Sequence, residues 1–277
     1  MLRQRVITAL VLLAALLGAA AAGRLAFDAL MAILLGAAVF EWLRLARHST
    51  VHCVAAAAVF AVTLTGLQAF GPGTSDSLLA ALATAATAAW LLIAVVVLRG
   101  AHRGARMPHA VSTVLSILLL GAAWFAAMHF IDRGIVYLLS VLVIVWLADI
   151  AAYFAGRQWG RRKLAPAISP GKTWAGVGGA VVAVLVGTWL LARLAPDLPA
   201  FSTLLQQRLA PMAALALLAG MVGLSIVGDL FESLLKRQVN VKDSSQLLPG
   251  HGGVLDRIDA SIAVLPAAAL LDLWLRR

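Results

Sequence analysis

Runs of about twenty apolar residues recur along the whole chain, at about 5–23, 25–43, 52–70, 78–98, 110–131, 134–156, 174–195, 211–231 and 260–275. A helix needs roughly 20 apolar residues to cross the hydrocarbon core of a bilayer. In water so many runs could not be hidden. Hydrophobic residues make up 62% of the 277, and only 12% are charged, against about 25% charged in an ordinary soluble domain. The fold class that follows is an all-α integral membrane protein, a polytopic bundle of about nine transmembrane helices. No repeat or low-complexity linker divides it. We read residues 1–277 as a single membrane domain, with generic helices over 1–131 and the polar signature carried by 134–277. The first run has Arg3 and Arg5 ahead of a Leu/Ala core, as a signal peptide would. Its length, and the spans that follow at once, favour a retained first helix.

The net charge of +10 would suggest nucleic acid in a soluble protein, but there is no basic soluble domain here to bind it. The basic residues instead read as topology signals. The loops alternate. One set holds sixteen Lys and Arg, including Arg157, Arg161, Arg162, Lys163, Lys172, Lys236, Arg237, Lys242 and Arg257; the other holds Arg24, Arg133, Arg193 and Arg208. The positive-inside rule makes the sixteen-charge face cytoplasmic. Nine crossings then leave Arg276 and Arg277 on the far side, against the rule, and the last run is short for a full span. Cys53 is the single cysteine, so neither an internal disulfide nor a cysteine metal cluster can form.

The acids carry the functional signal. Of twelve Asp and Glu, six (Asp149, Asp229, Glu232, Asp243, Asp256 and Asp259) fall at or beside the basic-face ends of the last four runs. Carboxylates at membrane depth are expensive and usually functional. Asp229, Glu232 and Lys236 are spaced to share one helical face, as are Asp256 and Asp259. Glu41 is also near that face, beside Arg44 in the N-terminal half. Hard cations such as Mg²⁺ take a few carboxylate oxygens together with substrate phosphates. Between Asp243 and Asp256 lies Pro249-Gly250-His251-Gly252-Gly253. Glycines let a backbone turn its N–H groups toward a phosphate, and Lys236, Arg237, Lys242 and Arg257 flank this loop. A second polar segment, Ser169-Pro170-Gly171-Lys172-Thr173, opens the seventh run. It fails the Walker pattern because Pro166 stands at the first glycine position. Ser169, Lys172 and Thr173 are nevertheless expected at a helix N-terminus, which suits an anion.

With these residues in hand, the sequence resembles the phosphatidate cytidylyltransferases, or CDP-diacylglycerol synthases. The resemblance rests on Ser233-Leu-Leu-Lys236-Arg237, Lys242-Asp243, Pro249-Gly-His251-Gly-Gly253 and Asp256-Arg257-Ile-Asp259, with Gly228-Asp229-Leu230 upstream. Asp149-Ile-Ala-Ala-Tyr153-Phe154-x-Gly156-Arg157 leading to Ile168-Ser169-Pro170-Gly171-Lys172-Thr173 adds to it. The one departure is Ala175, where the family often has Glu or Gln. The resemblance implies that CTP and phosphatidic acid give CDP-diacylglycerol and pyrophosphate in a bacterial-type inner membrane. It implies Mg²⁺, allows a monovalent cation such as K⁺ beside it, and implies a homodimer.

On that reading Asp229 and Asp256 hold the metal, with Asp243 and Asp259 as further ligands. Lys236, Arg237, Lys242 and Arg257 neutralise phosphates as part of the catalytic set. Ser169, Lys172, Thr173, Gly250, His251, Gly252 and Gly253 bind CTP phosphates, with Asp149 and Glu232 in support. The rival readings are a prenyl-lipid cytidylyltransferase or polyprenol kinase, a multi-pass transporter, and an inactive relative. A CDP-alcohol phosphatidyltransferase is disfavoured because its Asp-rich pattern is absent.

Overall fold

A computed structural model describes residues 2–70, 75–99, 107–250 and 252–276, with the side chains of 2–6, 9 and 68–70 left aside. His251 therefore lies outside the described residues. Among these residues there are ten helices and one hairpin: α1 Leu2–Ala22, α2 Arg24–Leu45, α3 Thr50–Phe70, α4 Asp76–Leu98, α5 His109–Ile131, α6 Ile135–Trp159, β1 Lys163–Ala165, β2 Ser169–Thr173, α7 Trp174–Leu194, α8 Phe201–Arg208, α9 Pro211–Gln238 and α10 Leu255–Leu275. Eight, α2 to α7 with α9 and α10, are long and apolar enough to cross a membrane, and α1 is a ninth long helix. The chain is an all-α polytopic membrane protein. Large apolar side chains such as Val62, Leu92, Val182 and Leu194 stand exposed on its outside. In water such a surface would be an aggregation site; in lipid it is the solvated face.

The described elements depart from the apolar runs in three places. α9 continues about two turns past its run, so Glu232, Lys236 and Arg237 ride on a helix. α10 begins at Leu255 and has 21 residues, enough for a full span; Asp256 and Asp259 therefore sit in its first turns and not ahead of it. The 195–210 connection, read from sequence as a loop, contains α8, anchored where the Ser140 hydroxyl accepts from Phe201 N at 2.9 Å.

Helix ends meet at two levels. The C-terminal ends of α2, α6 and α9 share one face with the starts of α5, α7 and α10. Trp42 Nε1 donates to Ser112 Oγ (3.1 Å) and Lys172 pairs with Asp229 (2.7 Å) at that level. At the opposite level Asp272 of α10 is fully buried. It accepts from Tyr137 Oη (2.5 Å), His129 Nε2 (2.9 Å) and Arg276 Nε (3.2 Å), and pairs with Arg133. Arg276, which looks misplaced by the charge rule, is thus neutralised by a carboxylate four residues back.

α10 is the most enclosed of the long helices, and it contains Pro266. Proline has no N–H to give to the carbonyl four residues earlier. That carbonyl belongs to Ile262, and Trp90 Nε1 donates to it at 3.2 Å. In lipid a freed backbone group must find such a partner. The Trp90 ring also meets Phe231 edge-on, 5.7 Å between centroids, and Trp42 lies 5.2 Å from Phe231 on another side. These contacts hold α4, α9 and α2 around α10. Trp90→Phe keeps most of the ring and removes the donor. We expect it to destabilise the protein by about 1–3 kcal/mol, seen as a lower thermal midpoint in detergent; an unchanged midpoint would refute this account of Pro266.

Candidate active site

A polar cavity of about 790 Å³ opens at the face where α6, α7, α9 and α10 end or begin. α6 contributes Asp149, Tyr153 and Arg157, the hairpin Ser169 and Lys172, α9 Asp229, Ser233, Lys236 and Arg237, the following loop Lys242 and Asp243, and α10 Asp256, Arg257 and Asp259. Residues far apart in sequence are brought together because this end of the bundle packs very closely. A Cβ on Gly228 would run into the Asp259 carbonyl and lie 3.1 Å from Ala260 Cα. Small residues allow such backbone contact between membrane helices, and this contact sets Asp229 beside Asp259.

The chain returns from α6 to α7 through the β1–β2 hairpin, with Lys163 opposite Thr173 and Ala165 opposite Ser169. Ser169 and Lys172 therefore lie on a strand, and of the three residues expected at the helix start only Thr173 is there. Its hydroxyl accepts from Gly176 N at 3.1 Å and caps α7. Lys172 Nζ reaches Asp229 Oδ2 at 2.7 Å and the Ile226 carbonyl at 3.4 Å. Asp229 Oδ1 accepts from Ser233 Oγ at 3.2 Å. Thr173, Gly176 and Val177 line the cavity, while Ala175 is outside its wall.

Asp256 has a different setting. Its Oδ1 meets Lys236 Nζ at 2.6 Å, and its Oδ2 accepts from Ser244 N (2.8 Å), Ser244 Oγ (2.9 Å) and Gly253 N (2.8 Å). A carboxylate offers about four acceptor sites, so the capacity of Asp256 is taken by the protein. Glu232 is buried and pairs with the same Lys236. By contrast, Asp149 carries no hydrogen bond among the described residues, and Asp259 uses one oxygen, Oδ1, on its neighbour Ala260 N (2.7 Å). Asp149, Asp229 and Asp259 feel one another's charge across the cavity.

The remaining expected residues fall around the rim. Lys242, Asp243 and Arg257 are exposed, and they also line an adjoining cavity of about 640 Å³ together with Gly250 and Gly252. Arg237 is steadied by the carbonyls of Ile168 (3.4 Å) and Val241 (3.3 Å). Gly250 and Gly252 have φ of 76° and 82°, values that favour glycine. A Cβ on Gly252 would come 2.6 Å from Asp256 Oδ2. Gly253 does not turn its N–H outward to a phosphate as expected, because Asp256 receives it. Tyr153, Arg157, Lys163 and Ser233 also line the cavity and were absent from the sequence-based site.

One residue outside the cavity organises it. Glu41 of α2 is fully buried. Its Oε1 accepts from Ser245 Oγ (2.6 Å) and Val254 N (3.0 Å), and its Oε2 from Ser244 Oγ (2.9 Å) and Leu255 N (2.7 Å). The first N–H groups of a helix lack partners within it and carry partial positive charge; Glu41 supplies the acceptors for α10 from across the fold. The sequence signal was a lone carboxylate in an apolar run. Glu41→Gln puts an NH₂ where only donors face it. It is expected to lower the thermal midpoint, at a cost of about 1–3 kcal/mol for each donor left unsatisfied, and to reduce turnover at least about tenfold. Wild-type stability and turnover in Glu41→Gln would refute the role.

The sequence model of the cytidylyltransferase family matches residues 3–274. A phosphatidate cytidylyltransferase of Pseudomonas aeruginosa is 41% identical over 282 aligned positions, covering 99% of this chain and 97% of that protein. Those of Haemophilus influenzae and Thermotoga maritima are 46% and 38% identical over 48% and 50% of this chain, and the matches span 44% and 50% of their own lengths. The match thus runs through every helix that builds the cavity, and the chain belongs to the cytidylyltransferase family.

Proposed function

We propose that the chain transfers a cytidylyl group from CTP to phosphatidate, giving CDP-diacylglycerol and pyrophosphate, at the cytoplasmic face of a bacterial inner membrane. The observation that carries this reading is the polar cavity, in which Asp149, Asp229 and Asp259 face Lys172, Lys236, Arg237 and Arg257 at helix ends. The side follows from charge: the basic loops lie at the cavity's face, and such loops stay cytoplasmic. The full-length likeness to the P. aeruginosa enzyme supports the substrate pair.

The chemistry suits the residues. An oxygen of the phosphatidate phosphate attacks the α-phosphorus of CTP, and the bond to pyrophosphate breaks. The nucleophile is already anionic, so no base or covalent serine is required. The obstacle is repulsion between anions, and preorganised cations relieve it. Lys172 is fixed by Asp229 and Lys236 by Asp256 and Glu232. Each ammonium is thereby held in place before substrate arrives, and Arg237 is held by two carbonyls.

Mg²⁺ fits this donor set. Asp149 is uncommitted, Asp259 has a spare oxygen, and Asp229 stands beside them. Mg²⁺ is usually held by one or two carboxylates, with phosphate and water completing its shell. The absence of a three-ligand cluster among the described residues is compatible with that mode. Two carboxylates drawn from Asp229, Asp259 and Asp149 would hold the ion, with Asp256 orienting Lys236 in place of ligation. When bound, the ion supplies charge neutralisation between attacking and leaving oxygens.

A transporter would need charged groups through the bundle, whereas among the described residues the buried charged side chains lie at its two polar levels. In detergent with labelled CTP, phosphatidate and Mg²⁺, the protein should form CDP-lipid. Asp229→Asn should lower kcat by about a hundredfold or more, because it loses a metal-facing carboxylate and the charge that holds Lys172. Wild-type, metal-dependent turnover in that variant would overturn the assignment of Asp229.

A further inference from the structure

α2 ends in a turn in which Arg47 has φ 63°, a left-handed backbone that is costly for any residue bearing a Cβ. The turn is held in two ways. Along the backbone, His48 N donates to the Leu43 carbonyl at 3.0 Å. Across the fold, the His48 ring is clasped by two others. His52, in the first turn of α3, stacks on it with centroids 4.6 Å apart, and His109, the first residue of α5, meets it edge-on at 4.5 Å. His48 Nε2 also lies 3.3 Å from Thr113 Oγ1 of α5. His48 is half-buried, while His52 and His109 are exposed. α2 and α5 are joined again where Trp42 Nε1 donates to Ser112 Oγ. Trp42 adjoins Glu41, which accepts from Val254 N and Leu255 N at the start of α10.

The charges around these rings are positive. α2 brings Arg44 and the turn brings Arg47; α3 brings His52 and the buried Cys53 thiol, which donates to the His48 carbonyl; α5 brings His109. Neither α3 nor α5 has an acid in its first turn, and both oxygens of Glu41 are filled by other donors. Neutral rings stack readily, whereas two protonated rings with centroids 4.5 Å apart repel. Burial, and then the charges of His109 and His52, hold the His48 imidazole below its ordinary range. Such an imidazole is neutral in the fold and gains its proton more easily once the corner opens, so the corner loses stability as pH falls below about 6.5. We propose that His48, His52 and His109 form a proton-sensitive clasp. Neutral, they lock the α2–α3 turn onto α5. Doubly protonated, they part, the strained turn relaxes, and Trp42 and Glu41 lose their fixed place beside the start of α10. The clasp acts through the scaffold, whatever reaction the cavity performs.

The test compares the wild-type protein in detergent with the double variant His52→Gln/His109→Gln, from about pH 7.5 down to about pH 5.5, an interval that brackets imidazole titration. The variant keeps one imidazole of the three, so no pair of charged rings can form. Acids elsewhere titrate alike in both proteins and cancel in the comparison. Over that interval the thermal midpoint of the wild type should fall about 2–4 °C further than that of the variant. The ratio of variant to wild-type kcat should rise at least about threefold. Parallel midpoint curves would overturn the clasp. A wild-type midpoint that falls further while the kcat ratio stays constant would overturn its link to the site. The midpoint comparison needs no substrate, so failure of the proposed reaction leaves it intact. If the double variant does not fold, His52→Gln alone replaces it, since that ring is exposed, and NMR of ¹³C-histidine wild-type protein follows the rings directly. A His48 ring that titrates at the ordinary value of about 6.5, independently of the other two, would overturn the proposal.

Discussion

Two carboxylates, Glu41 and Asp256, share out the donors of the segment that leads into α10. Asp256 takes Ser244 N and Gly253 N; Glu41 takes Val254 N, Leu255 N and the Ser245 hydroxyl, and the Ser244 hydroxyl lies within reach of both. At the end of a membrane helix, backbone donors left unpaired are costly, so this division fixes where α10 begins. The position of its start in turn places Arg257 and Asp259. Lys236 then joins α9 to the same centre through Asp256. The catalytic half is therefore held from the N-terminal half, by a side chain on α2.

The bundle has two polar ends and an apolar middle, but the ends are built differently. At the far end Asp272 is saturated by Tyr137, His129, Arg133 and Arg276. At the site end Lys172 and Lys236 are tied to carboxylates while Asp149 and one oxygen of Asp259 stay uncommitted. Saturation makes a rivet between α5, α6 and α10. Incomplete saturation around a cavity leaves capacity for phosphates and a metal ion.

Much of the fold was legible because hydropathy is a local property. Runs of twenty apolar residues demand helices whatever surrounds them, and the eight spans and α1 follow the runs to within a turn or two. The exceptions have reasons. α9 and α10 continue past their apolar runs because Lys236, held by Glu232 and Asp256, ties the two extensions together and Glu41 accepts from the first N–H group of α10. The hairpin and α8 were missed because Pro166 and Pro170, and the mixed polarity of 201–208, give no clear period.

The sequence by itself determined the membrane class, the gathering of acids and bases at one level, and the set of residues around Asp229, Lys236 and Asp256. Composition and short spacings carry that information, since neighbours on one helical turn must share a face. Only the tertiary structure decided which oxygen is spent and which is free. Glu41 and Val254 are 213 residues apart, and no spacing rule links them. Asp256 is filled by backbone donors that exist only once the loop is folded, and Asp149 is left open because no donor on α6, α7 or α10 reaches it. Those assignments depend on how helices cross, and the crossing at Gly228 and Asp259 is set by backbone contact that hydropathy does not record.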